Sequence, residues 1–272
     1  KNLAIDSNIQ VNESDYKIPI ILNKFFNIKN NTVKIKEHNI KSNYKNNNLV
    51  INGSGKIKVN KNFDYLEYSV DLKDEDIDLK SKLILSEFKL NSQEYLKDFI
   101  PELNENIILK DQKIKINFDN RKLQVKGEGK VKFENYFEDI KFNVSKIENK
   151  FNFNSQIDLK ETLLKIDFLD FKNNNKLKTQ IKISGNYNTE DSLHLKDLSI
   201  INKDNKLIIR NIFLDQENLI EKIDEANLEF FDSQDKKNKV LLKKINDNEY
   251  QINGLVFNAD KLIDNLLDNK KN

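Results

Sequence analysis

From Thr32 onward, apolar and polar residues alternate along this chain with a period of two. Val33 and Ile35 are interleaved with Lys34 and Lys36, and Leu66, Tyr68, Val70 and Leu72 with Glu67, Ser69, Asp71 and Lys73. Ile77, Leu79, Leu83 and Leu85 follow against Asp78, Lys80, Lys82 and Ser86. A period of two puts each set on its own face of a β-strand. Polar turns at Asn46–Asn48 and Asp74–Asp76 separate the runs, so the grammar is that of an antiparallel meander. The same signal recurs at 113–118, 164–168, 177–187, 193–201, 206–214, 226–231, 239–245 and 250–257. Before Thr32 it is weaker: Leu3, Ile5, Ile9 and Val11 suggest one strand, and 16–22 another. Two segments have helical spacing instead. Ser92 is placed to cap a helix over 93–100 that Pro101 ends, and Leu262, Ile263, Leu266 and Leu267 fit a short amphipathic helix.

Two of the strands are near copies. Leu49-Val-Ile-Asn-Gly-Ser-Gly-Lys-Ile-Lys-Val59 returns 74 positions later as Leu123-Gln-Val-Lys-Gly-Glu-Gly-Lys-Val-Lys-Phe133. At this constant offset Gly53, Gly55, Lys56, Lys58, Phe63 and Val70 meet identical residues. Ile57 meets Val131, and Tyr68 meets Phe142. Farther on, Ile77, Leu79, Leu83 and Leu85 meet Phe151, Phe153, Ile157 and Leu159 without a gap. Alternation in a Lys-rich strand protein can produce the apolar matches, but not both glycines and both lysines together. The expectation is an internal repeat with units near 49–122 and 123–196. No Pro, Gly or Ser linker divides the chain, so 1–272 reads as one continuous β domain.

Roughly fifteen strands with one apolar face must bury that face or fill it with something. A sandwich or barrel packs it against itself. A long sheet curled into an open trough leaves it lining a groove, and alternation does not separate the two. Repetition favours a sheet that grows in one direction, on the order of 70 Å at about 4.8 Å per strand. Paired mid-strand glycines would then set the curl at the same place in each unit. The predicted fold is therefore all-β with one or two short helices, an antiparallel meander forming an elongated trough from internal repeats.

Composition removes several function classes. Hydrophobic residues are 38% of the 272 and charged residues 33%, so the core is thin. Lys and Arg number 46 against 44 Asp and Glu, too even for a nucleic-acid footprint. Arg121 and Arg210 are the only arginines, leaving little for bidentate phosphate recognition. Without cysteine there is neither a disulfide framework nor a thiolate metal site. No apolar run is long enough to span a bilayer. The absence of methionine suggests a processed product or a piece of a longer chain, with any signal or anchor outside it.

Candidate chemistry is sparse. Gly53-Ser-Gly-Lys56 has part of a phosphate-loop signature, but Ile57 stands where the hydroxyl residue belongs and a strand follows. Asp74, Asp76 and Asp78 lack the glycine and distal glutamate of a calcium loop and read as a solvated turn. His38 and His194 read as surface positions. No cofactor or metal is expected, and no catalytic residue stands out, which points away from an enzyme.

A family resemblance emerges from these motifs. The Gly-x-Gly strand, the alternating strand after it and Asp78–Leu90 resemble the AsmA-like repeat proteins of Gram-negative bacteria. Tyr250-Gln-Ile-Asn-Gly-Leu-Val-Phe-Asn-Ala-Asp260 and the Leu262–Leu267 segment resemble the YhdP-type branch of that AsmA–TamB superfamily, with Asn258 where the pattern often has Asp. The likeness covers about residues 33–268. It implies a periplasmic segment of an inner-membrane-anchored protein, with passive transfer of phospholipids along an apolar β-groove towards the outer membrane. The implied partners are phospholipid acyl chains, with the membrane reached through segments outside this chain and no nucleic acid. On this view the groove is lined by Ile51, Ile57, Val59, Tyr68, Val70, Leu83, Val125, Val131, Phe133, Phe142, Val144, Phe151, Phe153, Ile181 and Ile183. The alternatives are a structural or adhesive β-repeat protein of the envelope with a closed core, and a β-sandwich hydrolase or sugar-binding module. The lack of Trp and of a nucleophile motif weakens the last.

Overall fold

The computed structural model describes residues 3–17, 32–59, 62–92, 94–173, 177–188, 193–215, 220–247 and 249–258. The alternating runs become strands in chain order. They are β1 (Ala4–Lys17), β2 (Thr32–Lys45), β3 (Asn48–Lys58), β4 (Asp64–Lys73), β5 (Asp76–Asn91) and β6 (Asn106–Asp119). Next come β7 (Lys122–Lys132), β8 (Phe137–Ile147), β9 (Lys150–Leu159), β10 (Lys165–Ile166), β11 (Phe171–Lys172) and β12 (Thr179–Asn188). The last five are β13 (Leu193–Ile201), β14 (Lys206–Leu214), β15 (Ile220–Phe231), β16 (Lys237–Asn246) and β17 (Glu249–Val256). Fifteen of them follow one another as neighbours in a single antiparallel meander, and β10 and β11 pair separately. The sheet is not closed: β1 and β17 each have one neighbour.

Among the described residues the expected helix at 93–100 is not an α-helix. It is a five-residue 3-10 segment, Glu94–Asp98. Ser92 is engaged across the connector. Its amide and hydroxyl both donate to the Glu105 carbonyl, at 2.9 and 3.0 Å, and tie the two ends of the connector together. The strand expected at 164–168 is likewise shortened to β10 followed by a 3-10 turn, Asp167–Leu169. The second predicted helix, at 260–269, and most of the strand expected at 16–22 lie outside the described residues.

Strand geometry recurs at the 74-residue spacing. β6 begins and ends 74 positions after β2, and β7 does the same relative to β3. Glu37 and Asp111, also 74 apart, both have positive φ, 51° and 52°. At Glu37 this accompanies a register shift between β2 and β3, a bulge that redirects the following side chain.

The chain forms two compact units. Unit 1 comprises 1–90, 108–130 and 142–148, and unit 2 comprises 91–107, 131–141 and 149–272. In unit 1 the buried apolar residues include Val33, Leu85 and Phe88. Asp64, buried at the start of β4, accepts the Ser86 amide at 2.7 Å and so holds β5 just past its last pairing with β4.

Unit 2 has a true core, made where two connectors fold onto one end of the strands. Ile100 and Leu103 from the first connector, and Leu164, Ile166, Leu169 and Phe171 from the β9–β12 connector, are buried with Leu159, Leu207, Leu228 and Phe230 of the sheet. Phe171 meets Phe230 edge-on at 5.9 Å. Backbone bonds from Lys165 to Phe99, Asn104 to Phe133 and Ser233 to Asp170 fasten the connectors in place. Beneath them Glu138, fully buried, accepts the amides of Lys160, Glu161 and Thr162 at 2.8, 3.0 and 2.8 Å.

Candidate functional site

Register assembles the apolar residues into rows that run across the strands. In unit 2, Ile183 of β12 lies opposite Leu198 of β13, which lies opposite Ile209 of β14, then Ala226, Leu242 and Ile252 of β15, β16 and β17. The neighbouring row, nearer the connectors, is Ile157, Ile181, Ile200, Leu207, Leu228 and Val240. Exposure varies along the strands, and Ile212 and Ala226 are buried away from the connectors. Leu207 and Leu228 are buried, Ile183, Leu198 and Ile209 half-buried, and Tyr187 and Ile220 exposed. In unit 1, Ile51 of β3 faces Val70 of β4, which faces Leu79 of β5, and all three are half-buried.

The opposite face is ionic. In unit 2 Arg210 lies 2.8 Å from Glu225 and 3.9 Å from Asp197, and Glu229 joins Lys237 and Lys239 at 2.8 and 3.6 Å. Such solvated pairs contribute little to stability. They do keep this side of the sheet wet.

Thirteen of the fifteen predicted lining residues are half-buried: Ile51, Ile57, Val59, Tyr68, Val70, Leu83, Val125, Phe142, Val144, Phe151, Phe153, Ile181 and Ile183. Val59 falls just past the end of β3. Val131 and Phe133 are corrections. They are 1% and 8% exposed, because the first connector is bonded to the Phe133 carbonyl and closes over this end of unit 2. They are core residues and are not available to a ligand.

His38 is a second correction. It is 3% exposed, with its ring lying across Gly55 and its Nε2 3.3 Å from the Tyr68 hydroxyl. The bulge at Glu37 turns it onto the apolar face. The sequence does signal this: the apolar phase changes from odd (Val33, Ile35) to even (Ile40, then Tyr44) across 36–39. Gln112, 74 positions on, follows Asp111 in the same way, is fully buried and lies across Gly129. His194 is half-buried on the polar face, stacked on Phe213 at 4.1 Å and bonded to Asn211 at 3.2 Å.

Burial pushes the His38 pKa below its ordinary value, so the native state favours the neutral ring. The stability this contributes is complete above the unfolded value of about 6.5 and is lost as pH falls through the lower folded value. We expect β2 and β3 to lose amide-exchange protection on acidification below about pH 6.5. His38→Gln, which installs the residue found 74 positions later, should remove that dependence. An unchanged pH profile in that variant would exclude His38 as its source.

Asp74 has a φ of 53° in a turn, and Asp78 pairs with Lys80 at 3.0 Å, so the acidic turn is solvated as its spacing suggests. Among the described residues no group of His, Cys, Asp or Glu is arranged to hold a metal ion, and no helix is long and apolar enough to cross a membrane. The buried Glu134 carboxyl has its pKa raised, through burial first and the neighbouring Glu102 next. It sits under the connectors of unit 2, away from the half-buried rows. What the geometry offers in each unit is a row of half-buried apolar residues joined in register. No protein family, curated protein or solved structure matches the chain.

Proposed function

We propose that the chain carries phospholipid acyl chains along its apolar face, as a segment of a passive lipid-transfer bridge. The observation that carries this is the run of half-buried apolar residues joined in register from strand to strand, Ile183–Leu198–Ile209 in unit 2 and Ile51–Val70–Leu79 in unit 1. Exposing an acyl chain of about sixteen carbons to water costs on the order of 10 kcal/mol, at about 0.8 kcal/mol per methylene. A surface of Ile, Leu and Val repeating at strand spacing offsets that cost with little change from one strand to the next, which suits sliding. Headgroups would remain in water, and no residue would take a chemical step.

The finer picture belongs to the same proposal. The 74-residue recurrence of strands, bulges and covered glycines supports repeat units that curl the sheet into an open trough. The resemblance of the Gly-x-Gly strands and of the segment around Gly254 to AsmA-like, YhdP-type proteins supports a periplasmic setting, with anchorage to the inner membrane outside these residues. A structural or adhesive role would suit the closed core of unit 2 but would leave the half-buried rows without an occupant.

A photo-crosslinking residue decides between them. Placed at Ile183 or Val70 in protein expressed in cells with membranes, it should capture phospholipid. At Lys182, one residue away on the ionic face, and at buried Val131 it should capture none. Absence of lipid at Ile183 and Val70, or equal capture at Lys182, would sink the proposal.

A further inference from the structure

Five glycines of the sheet are covered by a side chain of a neighbouring strand: Gly53, Gly127 and Gly185 by a Phe or Tyr ring, Gly55 by the His38 imidazole and Gly129 by the Gln112 amide. Gly53 faces Tyr68 and Gly185 faces Phe153 in register. A Cβ on Gly53 would overlap the Tyr68 ring, one on Gly127 would overlap Phe142, and one on Gly185 would come within 2.8 Å of Phe153. An aromatic over a strand glycine restores the apolar contact that the missing side chain forfeits.

Gly254 in β17 breaks the pattern. Its cross-strand neighbour is Val240, and a Cβ there would meet only the Lys239 carbonyl at 3.2 Å and Val240 Cγ2 at 3.6 Å. No ring covers it from the β16 side. Its other side is the open edge of the sheet, where no strand lies among the described residues.

β17 is also the less protected of the two edges. β1 carries Asp6, Glu13, Asp15 and Lys17, charges that discourage edge pairing. β17 has one acidic residue, Glu249 at its start, and exposes Ile252 by 68% and Val256 by 62%. Tyr250, Ile252 and Gly254 share the apolar face, opposite Lys244, Leu242 and Val240. A twofold axis normal to the sheet would set this strand antiparallel to its own copy with like faces together. With Ile252 opposite its counterpart, the residue two positions earlier in one copy falls opposite the residue two positions later in the other. Tyr250 then faces Gly254.

We infer that the chain pairs edge to edge with a second copy of itself through β17, Ile252 meeting its counterpart at the twofold axis and Tyr250 of the partner subunit covering Gly254. The pairing supplies the missing ring twice, extends the apolar rows from one copy into the next, and does not depend on what those rows carry.

The chain has no cysteine, which makes the test direct. The unmodified protein should show by light scattering a mass twice its 32.0 kDa at micromolar concentration. Ile252→Cys should form a disulfide-linked dimer under mild oxidation, since residues paired across adjacent antiparallel strands have Cα atoms about 5 Å apart. Ile9→Cys, on the β1 edge, should stay monomeric on a non-reducing gel. Tyr250→Ala should weaken the dimer about tenfold or more. A monomeric mass overturns the inference, as does crosslinking at Ile9 in place of Ile252. Crosslinking at Ile252 with no loss in Tyr250→Ala overturns the assigned register.

Discussion

Val131→Asp is expected to prevent unit 2 from folding, whereas Ile57→Asp, at the matching position 74 residues earlier, should leave the fold intact. The two residues look equivalent in sequence, each two positions after the second glycine of a Gly-x-Gly strand. Their surroundings differ. Val131 is 1% exposed at the end of β7 where the first connector closes, and Ile57 is half-buried in β3. A carboxylate at the first site is taken out of water with no partner, which costs on the order of 4 kcal/mol or more, comparable to the whole stability of a small unit. At the second it reaches solvent and costs about 1 kcal/mol. Circular dichroism and solubility should separate the variants at once. Under the lipid reading Ile57→Asp adds a loss of lipid capture while remaining folded. If Val131→Asp folds and melts like the parent, the packing described for unit 2 is wrong.

That contrast marks what could be read from the chain and what could not. Alternation located most of the strands, assigned the two faces, and gave the meander order, because a period of two is a direct consequence of strand geometry. It placed Ile51 and Val70 on one face of unit 1, and Ile181 and Ile183 on one face of unit 2, where register puts them. It could not say which part of that face is covered, since cover comes from connectors whose own residues are ordinary in sequence. Ser92 looked like a helix cap because capping is the local use of a serine before such a run. The structure uses it to close a loop against Glu105, a contact between ends thirteen residues apart. The burial of His38 is hard to read from sequence for another reason: a bulge carried by Glu37 has no glycine to announce it, and only the change of phase between Ile35 and Ile40 betrays it. The clamps at Asp64 and Glu138 are invisible in sequence as well, because a carboxylate within the first two positions of a strand reads as turn polarity.

Glu138 is where the second large effect is expected. Its carboxylate accepts three consecutive backbone amides, from Lys160, Glu161 and Thr162, and is fully buried at the root of the β9–β12 connector. Those amides belong to a stretch that leaves the sheet, so no strand partner replaces the acceptor. Glu138→Ala leaves three buried donors unsatisfied and should cost about 3–5 kcal/mol. Glu138→Gln keeps one acceptor oxygen but points an NH2 group at an amide, and should cost about 1.5–3 kcal/mol. The matching change in unit 1, Asp64→Asn, disturbs the single Ser86 amide and should cost about 1 kcal/mol. Hydrogen exchange reads the effect at its source. The Lys160, Glu161 and Thr162 amides should lose protection first and most, followed by the residues that Phe171 and Leu164 bring into the core. Because those connectors cover one end of the apolar rows, the same variant should lengthen the accessible surface. A crosslinker at Val131, silent in the parent, would then begin to capture lipid. Retained protection of the three amides in Glu138→Ala would show that the connector is held by its apolar residues alone.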